Sequence, residues 1–250
     1  MLALMGAFGQ EIAELRRQMV IEEVVAGQDC KLYRGTLENR DVVIVKTGMG
    51  RERAENAAKF TLERYPATAI VSLGFAGALA PDLRIGDVVV CSTLHCADGS
   101  GEEGQEAGPR AADPALLSLA TQGSGGSAAT VRPGSCVTVL LLDADAEKMR
   151  ALRDNFQADI VDMESYWIAG IASARQIPFI AIRSISDTIQ RSIQPFDRIL
   201  ASDGTVLWKK AVLSFLLHPQ YLMNTFVLFR TTRLAKRNLT AVIRCLVAGA

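Results

Sequence analysis

Short apolar runs alternate along this chain with longer stretches in which apolar residues recur every three to four positions. The runs are rich in β-branched side chains, which is typical of strands, and the longer periodic stretches are typical of amphipathic helices. Predicted strands cover residues 2–5, 31–37, 42–46, 69–73, 87–92, 137–141, 159–161 and 179–185. Predicted helices cover residues 11–20, 51–64, 145–155, 163–175 and 196–217.

This alternation predicts an α/β fold with a mixed, mostly parallel central sheet that is flanked by helices on both faces. The chain has 250 residues and 49% hydrophobic residues, enough to bury one large core. Residues 38–41 separate two strands and predict a hairpin. Glycine-, serine- and glutamate-rich segments at 97–112 and 121–127 predict loops. We therefore expect one main domain over 1–210, followed by a helical extension over 211–250.

Charge is distributed unevenly between these two parts. Lys and Arg total 27, as do Asp and Glu, yet no acid follows Asp203. The segment that follows places apolar residues on one side of a predicted helix and basic residues on the other side. This is the pattern of a helix that lies on an anionic membrane surface. Pro219 interrupts the apolar part, so a membrane-spanning helix is not expected. The alternative is a basic helix that packs on the acidic body. The seven basic residues after Asp203 are Lys209, Lys210, Arg230, Arg233, Lys236, Arg237 and Arg244.

Cysteine and histidine provide little catalytic chemistry. The five cysteines are scattered without a CxxC pair, and the two histidines, His95 and His218, have no zinc-ligand spacing. We therefore expect reduced thiols, no metal and no histidine-based triad. The N-terminus has no basic region of the kind that opens a signal peptide, which favours a cytoplasmic location.

Carboxylates follow two predicted strands. Asp162 and Glu164 come at the end of one, and Asp187 comes at the end of another. Ligands of open α/β sheets collect at the carboxyl ends of strands, where one acid can grip hydroxyl groups and another can move a proton. The alternative is that each acid is structural, as a turn cap or a first-turn residue of a helix.

Glycine-rich turns are predicted at residues 47–51 and 74–78. Glycine allows close approach of the backbone to a ligand, and a helix N-terminus offers free N–H groups to an anion. Gly50 and Arg51 lie at such a helix start, and Arg183 lies close to Asp187. Gly50 offers a backbone N–H at the helix start, and arginine binds oxyanions in a bidentate manner, so these three residues are candidates for binding phosphate. Ion pairing within the protein explains the two arginines equally well.

Six segments together resemble the superfamily of purine nucleoside phosphorylases and methylthioadenosine/S-adenosylhomocysteine nucleosidases. They occur in the family's order over roughly residues 1–215. Within that superfamily the chain is most similar to the hopanoid-associated phosphorylases, which are proposed to act on adenosylhopane. The segments are GAFGQE at 6–11, TGMG at 47–50, GFAGA at 74–78, LRIGDVV at 83–89, VDME at 161–164 and SD at 186–187.

The resemblance implies roles for individual residues. Asp187 is expected to protonate N7 of the departing base, which requires burial to raise its pKa. Glu164 is expected to bind the ribose hydroxyls, and Glu11 to activate an attacking water. Met163 is expected to lie under the sugar. The resemblance also implies substrate-binding positions at Asp162, Phe75, Ala76, Gly77 and Ser186.

Two departures from the family's pattern affect these expectations. Phe75 stands where the superfamily often has a serine that binds the nucleophile, which leaves the choice between phosphate and water open. Residues 135–140 also lack the aromatic side chain that sandwiches adenine in the nucleosidases. The residues that contact the base are therefore not assigned by the resemblance.

The sequence therefore predicts a cofactor-free enzyme that cleaves the N-glycosidic bond of an adenine nucleoside. We expect phosphorolysis of a lipid-linked, adenosylhopane-like nucleoside, with phosphate as co-substrate. We also expect a homo-oligomer that binds no nucleic acid and lies at the inner face of the membrane through residues 211–250. The alternatives are a hydrolytic methylthioadenosine/S-adenosylhomocysteine nucleosidase and a non-catalytic nucleoside-binding protein.

Overall fold

The structure, a computed structural model, describes residues 1–97, 108–122, 130–142, 145–188 and 220–250, of which residues 220–231 are described by their backbone alone. The predicted helix at 196–217 and most of the predicted loops lie outside these residues. Ten strands are described: Leu2–Gly6 (β1), Val20–Ala26 (β2), Lys31–Leu37 (β3), Arg40–Lys46 (β4), Ala69–Ala78 (β5), Val88–Cys96 (β6), Arg110–Ala111 (β7), Val131–Thr138 (β8), Ile160–Asp162 (β9) and Phe179–Thr188 (β10).

Six helices are described. Five of them follow strands, as the alternating pattern predicts, and the sixth ends the chain. They are Gly9–Gln18 (α1), Arg51–Arg64 (α2), Pro114–Gln122 (α3), Ala146–Phe156 (α4), Ser165–Ala174 (α5) and Gln220–Gly249 (α6).

All ten strands belong to one mixed sheet. Its order is β10-β6-β8-β9-β5-β1-β4-β3-β2, and β7 pairs with β6. An additional pairing between β10 and β5 closes five of the strands (β5, β10, β6, β8 and β9) into a ring. Five of the ten pairings between described strands are parallel and five are antiparallel. The predicted mixed α/β sheet flanked by helices is confirmed, although parallel pairings are half of the total and not the majority.

Alternate residues of each central strand face opposite helical layers. In β1, Leu2 and Leu4 pack towards α1, α3 and α6, whereas Ala3 and Met5 pack towards α2 and α5. Both faces of the strand are therefore buried, and its sequence reads as a continuous apolar run. A smaller cluster joins β8 to α4 and contains Val137, Val139 and Met149.

Two predicted elements need correction. Residues 74–78 form the end of β5 and not a turn. Their glycines leave room for the side chains of Glu11 and Asp187. The strand predicted at 137–141 runs instead from Val131 to Thr138. Its pairing with β6 and β9 ends at Thr138, although the apolar run of the sequence continues after it. The sequence pattern also missed β2, β7 and α3. In β2 the exposed Val20, Ile21 and Val24 lie at the edge of the sheet, where no alternation of buried and polar residues develops.

Helix α6 packs its apolar side against the sheet. Ala235, Leu239, Ile243 and Leu246 are fully buried, and the last three join the cluster that contains β1 and α1. Arg233 and Arg237 are exposed on the opposite side. The apolar residues of 235–247 are therefore used by the body of the protein. Within the described residues, no helix is both long and apolar enough to cross a membrane.

Candidate active site

Glu164 lies in the connection from β9 to α5. It is the residue immediately before the first turn of α5, and it is only partly exposed. Its Oε1 accepts a hydrogen bond of 2.9 Å from the backbone N–H of Gly50, at the start of α2. Gly50 has a φ of 90°, a conformation that glycine adopts without strain. The glycine-rich turn at 47–51 therefore directs a backbone donor to a carboxyl group of the site.

Glu11 is a second acid and lies in the first turn of α1. It is buried, and its two carboxyl oxygens accept hydrogen bonds from different segments. Oε2 accepts from the N–H of Phe8 at 2.8 Å, and Oε1 accepts from the N–H of Phe75 at 2.9 Å. A methyl group on Gly74 would lie 2.5 Å from Oε1, so glycine is needed at this position for Glu11 to reach β5.

Asp187 is the third acid and lies near the end of β10. A register shift between Ile185 and Asp187 pairs Asp187 with Gly77 of β5. The hydroxyl of Ser186 donates a hydrogen bond of 2.6 Å to Oδ1. A methyl group on Gly77 would lie 3.2 Å from Oδ2. Gly77 is two residues from Phe75 on the same strand, a separation of about 7 Å, so β5 links the positions of Asp187 and Glu11.

Burial raises the pKa of all three acids. It raises the pKa of Glu164 to about 8, and the charges of Asp162 and Glu11 act in the same direction, against the Gly50 N–H and Arg183. Burial also raises the pKa of Glu11, which the N–H groups of Phe8 and Phe75 partly offset. The pKa of Asp187 is raised by burial as well, while its bond from Ser186 opposes the shift. Raised pKa values are typical of acid–base groups at functional sites.

A buried ion pair between Asp162 and Arg183 lies close enough to Glu164 and Glu11 to affect their charges. The Nε of Arg183 lies 2.8 Å from Oδ2 of Asp162, and both side chains are almost fully buried. The Nη2 of Arg183 donates to the hydroxyl of Ser72 at 2.8 Å. Although burial opposes a charged guanidinium, Asp162 and Glu11 raise the pKa of Arg183 above its ordinary value.

The residues considered for phosphate binding all have partners within the protein. The Gly50 N–H donates to Glu164, and Arg183 bonds to Asp162 and Ser72. Arg51 forms an ion pair with Glu55 at 3.0 Å and lies over the ring of Trp167, 4.4 Å from its centroid.

The remaining predicted substrate positions adjoin the three acids, either on β5 or as neighbours in the chain. Ala76 and Gly77 are buried on β5, whereas Phe75, Met163 and Ser186 are partly exposed. Leu140 and Leu141 follow β8, the neighbour of β9, and are 45% and 73% exposed. They place apolar surface close to the end of the strand that carries Asp162.

Sequence reasoning missed Thr138 and Ser72. The hydroxyl of Thr138 donates to Oδ1 of Asp162 at 2.6 Å and accepts the N–H of Tyr166 at 3.1 Å. Their signal was weak because Thr and Ser within strands are common. Only pairing between distant strands places these two hydroxyls beside Asp162 and Arg183.

A family model described as the Phosphorylase superfamily matches residues 1–210, and the chain belongs to this family. A 5'-methylthioadenosine/S-adenosylhomocysteine nucleosidase of Tolumonas auensis is 30% identical over 196 residues, which cover 74% of this chain and 85% of that protein. The predicted superfamily and enzyme class are thereby confirmed.

Solved structures share the fold. The crystal structure of the corresponding nucleosidase of Neisseria meningitidis, in complex with methylthio-immucillin-A, superimposes with a TM-score of 0.81 at 22% identity and covers 100% of this chain and 99% of its own. The native structure of futalosine hydrolase from Helicobacter pylori has a TM-score of 0.73 at 17% identity, over 97% of this chain and 96% of its own. At these identities the likeness concerns the fold.

Proposed function

We propose that this enzyme hydrolyses the N-glycosidic bond of an adenine nucleoside. The observation that carries this proposal is the arrangement of three acids, Glu11, Glu164 and Asp187, around one end of β5. Each acid has different hydrogen-bond donors, so the three carboxyl groups can perform different tasks. The nucleosidase of Tolumonas auensis, similar over three quarters of this chain, supports adenine as the base.

Cleavage of the bond develops positive charge on the ribose and negative charge on the base. Asp187, whose pKa is raised by burial, donates a proton to the departing base. Glu164 accepts hydrogen bonds from the ribose hydroxyls, and its ionised form, which predominates above about pH 8 in the free enzyme, stabilises the positive charge on the sugar. Glu11, held by two backbone N–H groups, takes a proton from the attacking water. In this mechanism the water oxygen forms the new bond to C1′ as the bond to the base nitrogen breaks.

Water suits this site better than phosphate. The guanidinium of Arg183 is paired with Asp162, and the N–H of Gly50 is used by Glu164. A phosphate dianion would also approach the carboxyl group of Glu11, which repels it when ionised. These contacts favour hydrolysis over the phosphorolysis expected from the resemblance.

The role of the acids is tested by measuring adenine release from adenosine, methylthioadenosine and S-adenosylhomocysteine by chromatography. We expect turnover of at least one of these nucleosides by the parent enzyme, and its loss in the Asp187→Asn variant. Asp159→Asn is the matched control, because Asp159 pairs with Arg132 away from the three acids. Equal turnover by the parent and by Asp187→Asn would contradict the proposed mechanism.

We further propose that the nucleoside carries an apolar, lipid-like 5′ substituent, as in adenosylhopane, and that the enzyme meets it at a membrane surface. Leu140 and Leu141 support this, because they expose apolar surface close to the site. The exposed Arg233 and Arg237 of α6 support attraction to anionic lipid, at about 1 kcal/mol for each basic residue. Contact with the membrane would use this basic side of α6, since the apolar residues of 235–247 are buried.

Co-sedimentation with vesicles that contain phosphatidylserine tests the membrane contact. Binding should weaken as salt rises, and should be reduced in a variant that combines Arg233→Glu with Arg237→Glu. Arg17→Glu changes an exposed charge on α1 and is the control. If the parent stays in the supernatant at low salt, the membrane contact is wrong, and a small soluble 5′ substituent becomes the better explanation.

A further inference from the structure

Asp162 has a complete set of partners inside the protein. Oδ1 accepts the hydroxyl of Thr138, and Oδ2 accepts the Nε of Arg183 at 2.8 Å, the N–H of Ser165 at 3.2 Å and the hydroxyl of Ser165. The side chain is almost fully buried. Four donors from three elements therefore bind a carboxylate that is almost fully buried, so its oxygens are not exposed to a substrate hydroxyl.

These contacts connect the segments that carry the three acids. Asp162 and Ser165 bracket Glu164 in the chain, so the bonds between them restrain the turn from which Glu164 projects. Arg183 lies four residues before Asp187 on β10 and reaches Ser72 on β5. Three residues after Ser72, the N–H of Phe75 binds Glu11.

We infer that Asp162 is a positioning residue that acts through its charge and its contacts on Glu164, and not a residue that binds the nucleoside. This inference rests on the proposed function of Glu164. The buried pair of Asp162 and Arg183 keeps Glu164 in place and sets the pH range over which Glu164 is ionised.

The electrostatic part of this task follows from the charges that face Glu164. Asp162 from β9 and Glu11 from α1 disfavour its ionised form, whereas Arg183 from β10 and the N–H of Gly50 favour it. Asp162 itself faces Arg183 and the thiol of Cys136, whose pKa burial raises well above the ordinary value. The negative charge of Asp162 both repels Glu164 and neutralises Arg183, and so it raises the pKa of Glu164 in two ways.

Replacing Asp162 by asparagine keeps the shape of the side chain and removes its charge. The amide oxygen can still accept from Arg183 and Ser165, and the amide nitrogen can donate to the hydroxyl of Thr138. We expect the pKa of Glu164 to fall by about one unit from about 8, because a like charge is lost and the positive charge of Arg183 is no longer neutralised. The ionised fraction of Glu164 at pH 6 then rises about tenfold.

The direct measurement is a ¹³C NMR titration of the Glu164 carboxyl in the ligand-free enzyme, assigned with the Glu164→Gln variant. It needs no substrate, so it tests the positioning role even if the proposed reaction fails. The matched control is Asp159→Asn, which removes a partly buried acid that is also paired with arginine, three residues earlier in the chain. In this control the titration of Glu164 should not move.

A second variant changes the titration in the opposite direction. Ser165→Ala removes a hydroxyl donor to Asp162 but keeps its charge, so the carboxylate is less well screened and the pKa of Glu164 should rise by a few tenths of a unit. This variant also serves if Asp162→Asn does not fold. A titration of Glu164 that is the same in Asp162→Asn and Asp159→Asn, or that falls in Ser165→Ala, would overturn the inference.

Discussion

Replacing Glu164 by glutamine is expected to abolish most activity and yet to stabilise the protein at alkaline pH. Burial holds the pKa of Glu164 at about 8, compared with 4.5 for the free side chain. Below pH 4.5 the carboxyl is protonated in both the folded and the unfolded state. Between pH 4.5 and 8 the unfolded chain releases this proton and the folded protein retains it, so the free energy of unfolding falls as pH rises.

The size of the effect follows from the shift in pKa. At about 1.36 kcal/mol per unit, a rise from 4.5 to about 8 corresponds to about 5 kcal/mol. Glu164 is partly exposed and water reaches it in part, which reduces this value, so we expect about 2–4 kcal/mol. Glutamine stays neutral at every pH and can still accept the N–H of Gly50. The variant should therefore match the parent within about 1 kcal/mol at pH 5 and exceed it by about 2–4 kcal/mol at pH 9.5.

Urea denaturation of both proteins, at pH 5 and pH 9.5 in the presence of reductant, measures this difference. Other titrating groups cancel, because only the change between parent and variant is compared across pH. Glu52→Gln replaces an exposed glutamate at the start of α2 and should give the same small change at both pH values. The reasoning is refuted if Glu164→Gln has the same effect at both pH values, or if it is less stable than the parent at pH 9.5.

Three further results are expected. Asp187→Asn should lower kcat by about 10²–10⁴-fold, the usual contribution of a general acid, with an unchanged circular dichroism spectrum; a rate within threefold of the parent would remove Asp187 from the mechanism. The parent should prefer ribosides to 2′-deoxyribosides and Glu164→Gln should lose that preference, so equal rates of the parent on both sugars would exclude hydroxyl recognition by Glu164. Gly74→Ala should displace Glu11, lower activity more than tenfold and destabilise by about 1–3 kcal/mol, whereas Gly9→Ala, with open space around it, should keep parental activity in the same assay.

Local sequence patterns predicted most of the elements that surround the site. The helix predicted at 51–64 has the bounds of α2, and the hairpin predicted at 38–41 joins β3 to β4. Its turn residues Glu38 and Asn39 have positive φ angles, which match the twist of a two-residue hairpin. The acids at 162–164 and at 187 lie at strand ends, as their positions after apolar runs indicated.

Features that depend on contacts between distant segments were not predictable in the same way. The sequence pattern predicts Gly74 and Gly77 as turn residues, but both lie in β5. Glycine is needed at these positions because Glu11 and Asp187 occupy the space that larger side chains would fill. The charge pattern after Asp203 is the same for a membrane helix and for a helix on the protein surface. Only the packing of Leu239 and Ile243 against the sheet shows where the apolar side of α6 lies.

The measurement that tests hydrolysis most directly is the identity of the sugar that the parent enzyme releases in phosphate buffer. The enzyme is incubated with a nucleoside that it cleaves, with and without phosphate, and the sugar is identified by mass spectrometry. Because we propose that Glu11 activates water, and because Arg183 is paired with Asp162, we predict a free sugar with an unphosphorylated C1′, formed at the same rate in both buffers. A sugar 1-phosphate, formed only when phosphate is present, would contradict hydrolysis and establish phosphorolysis in its place.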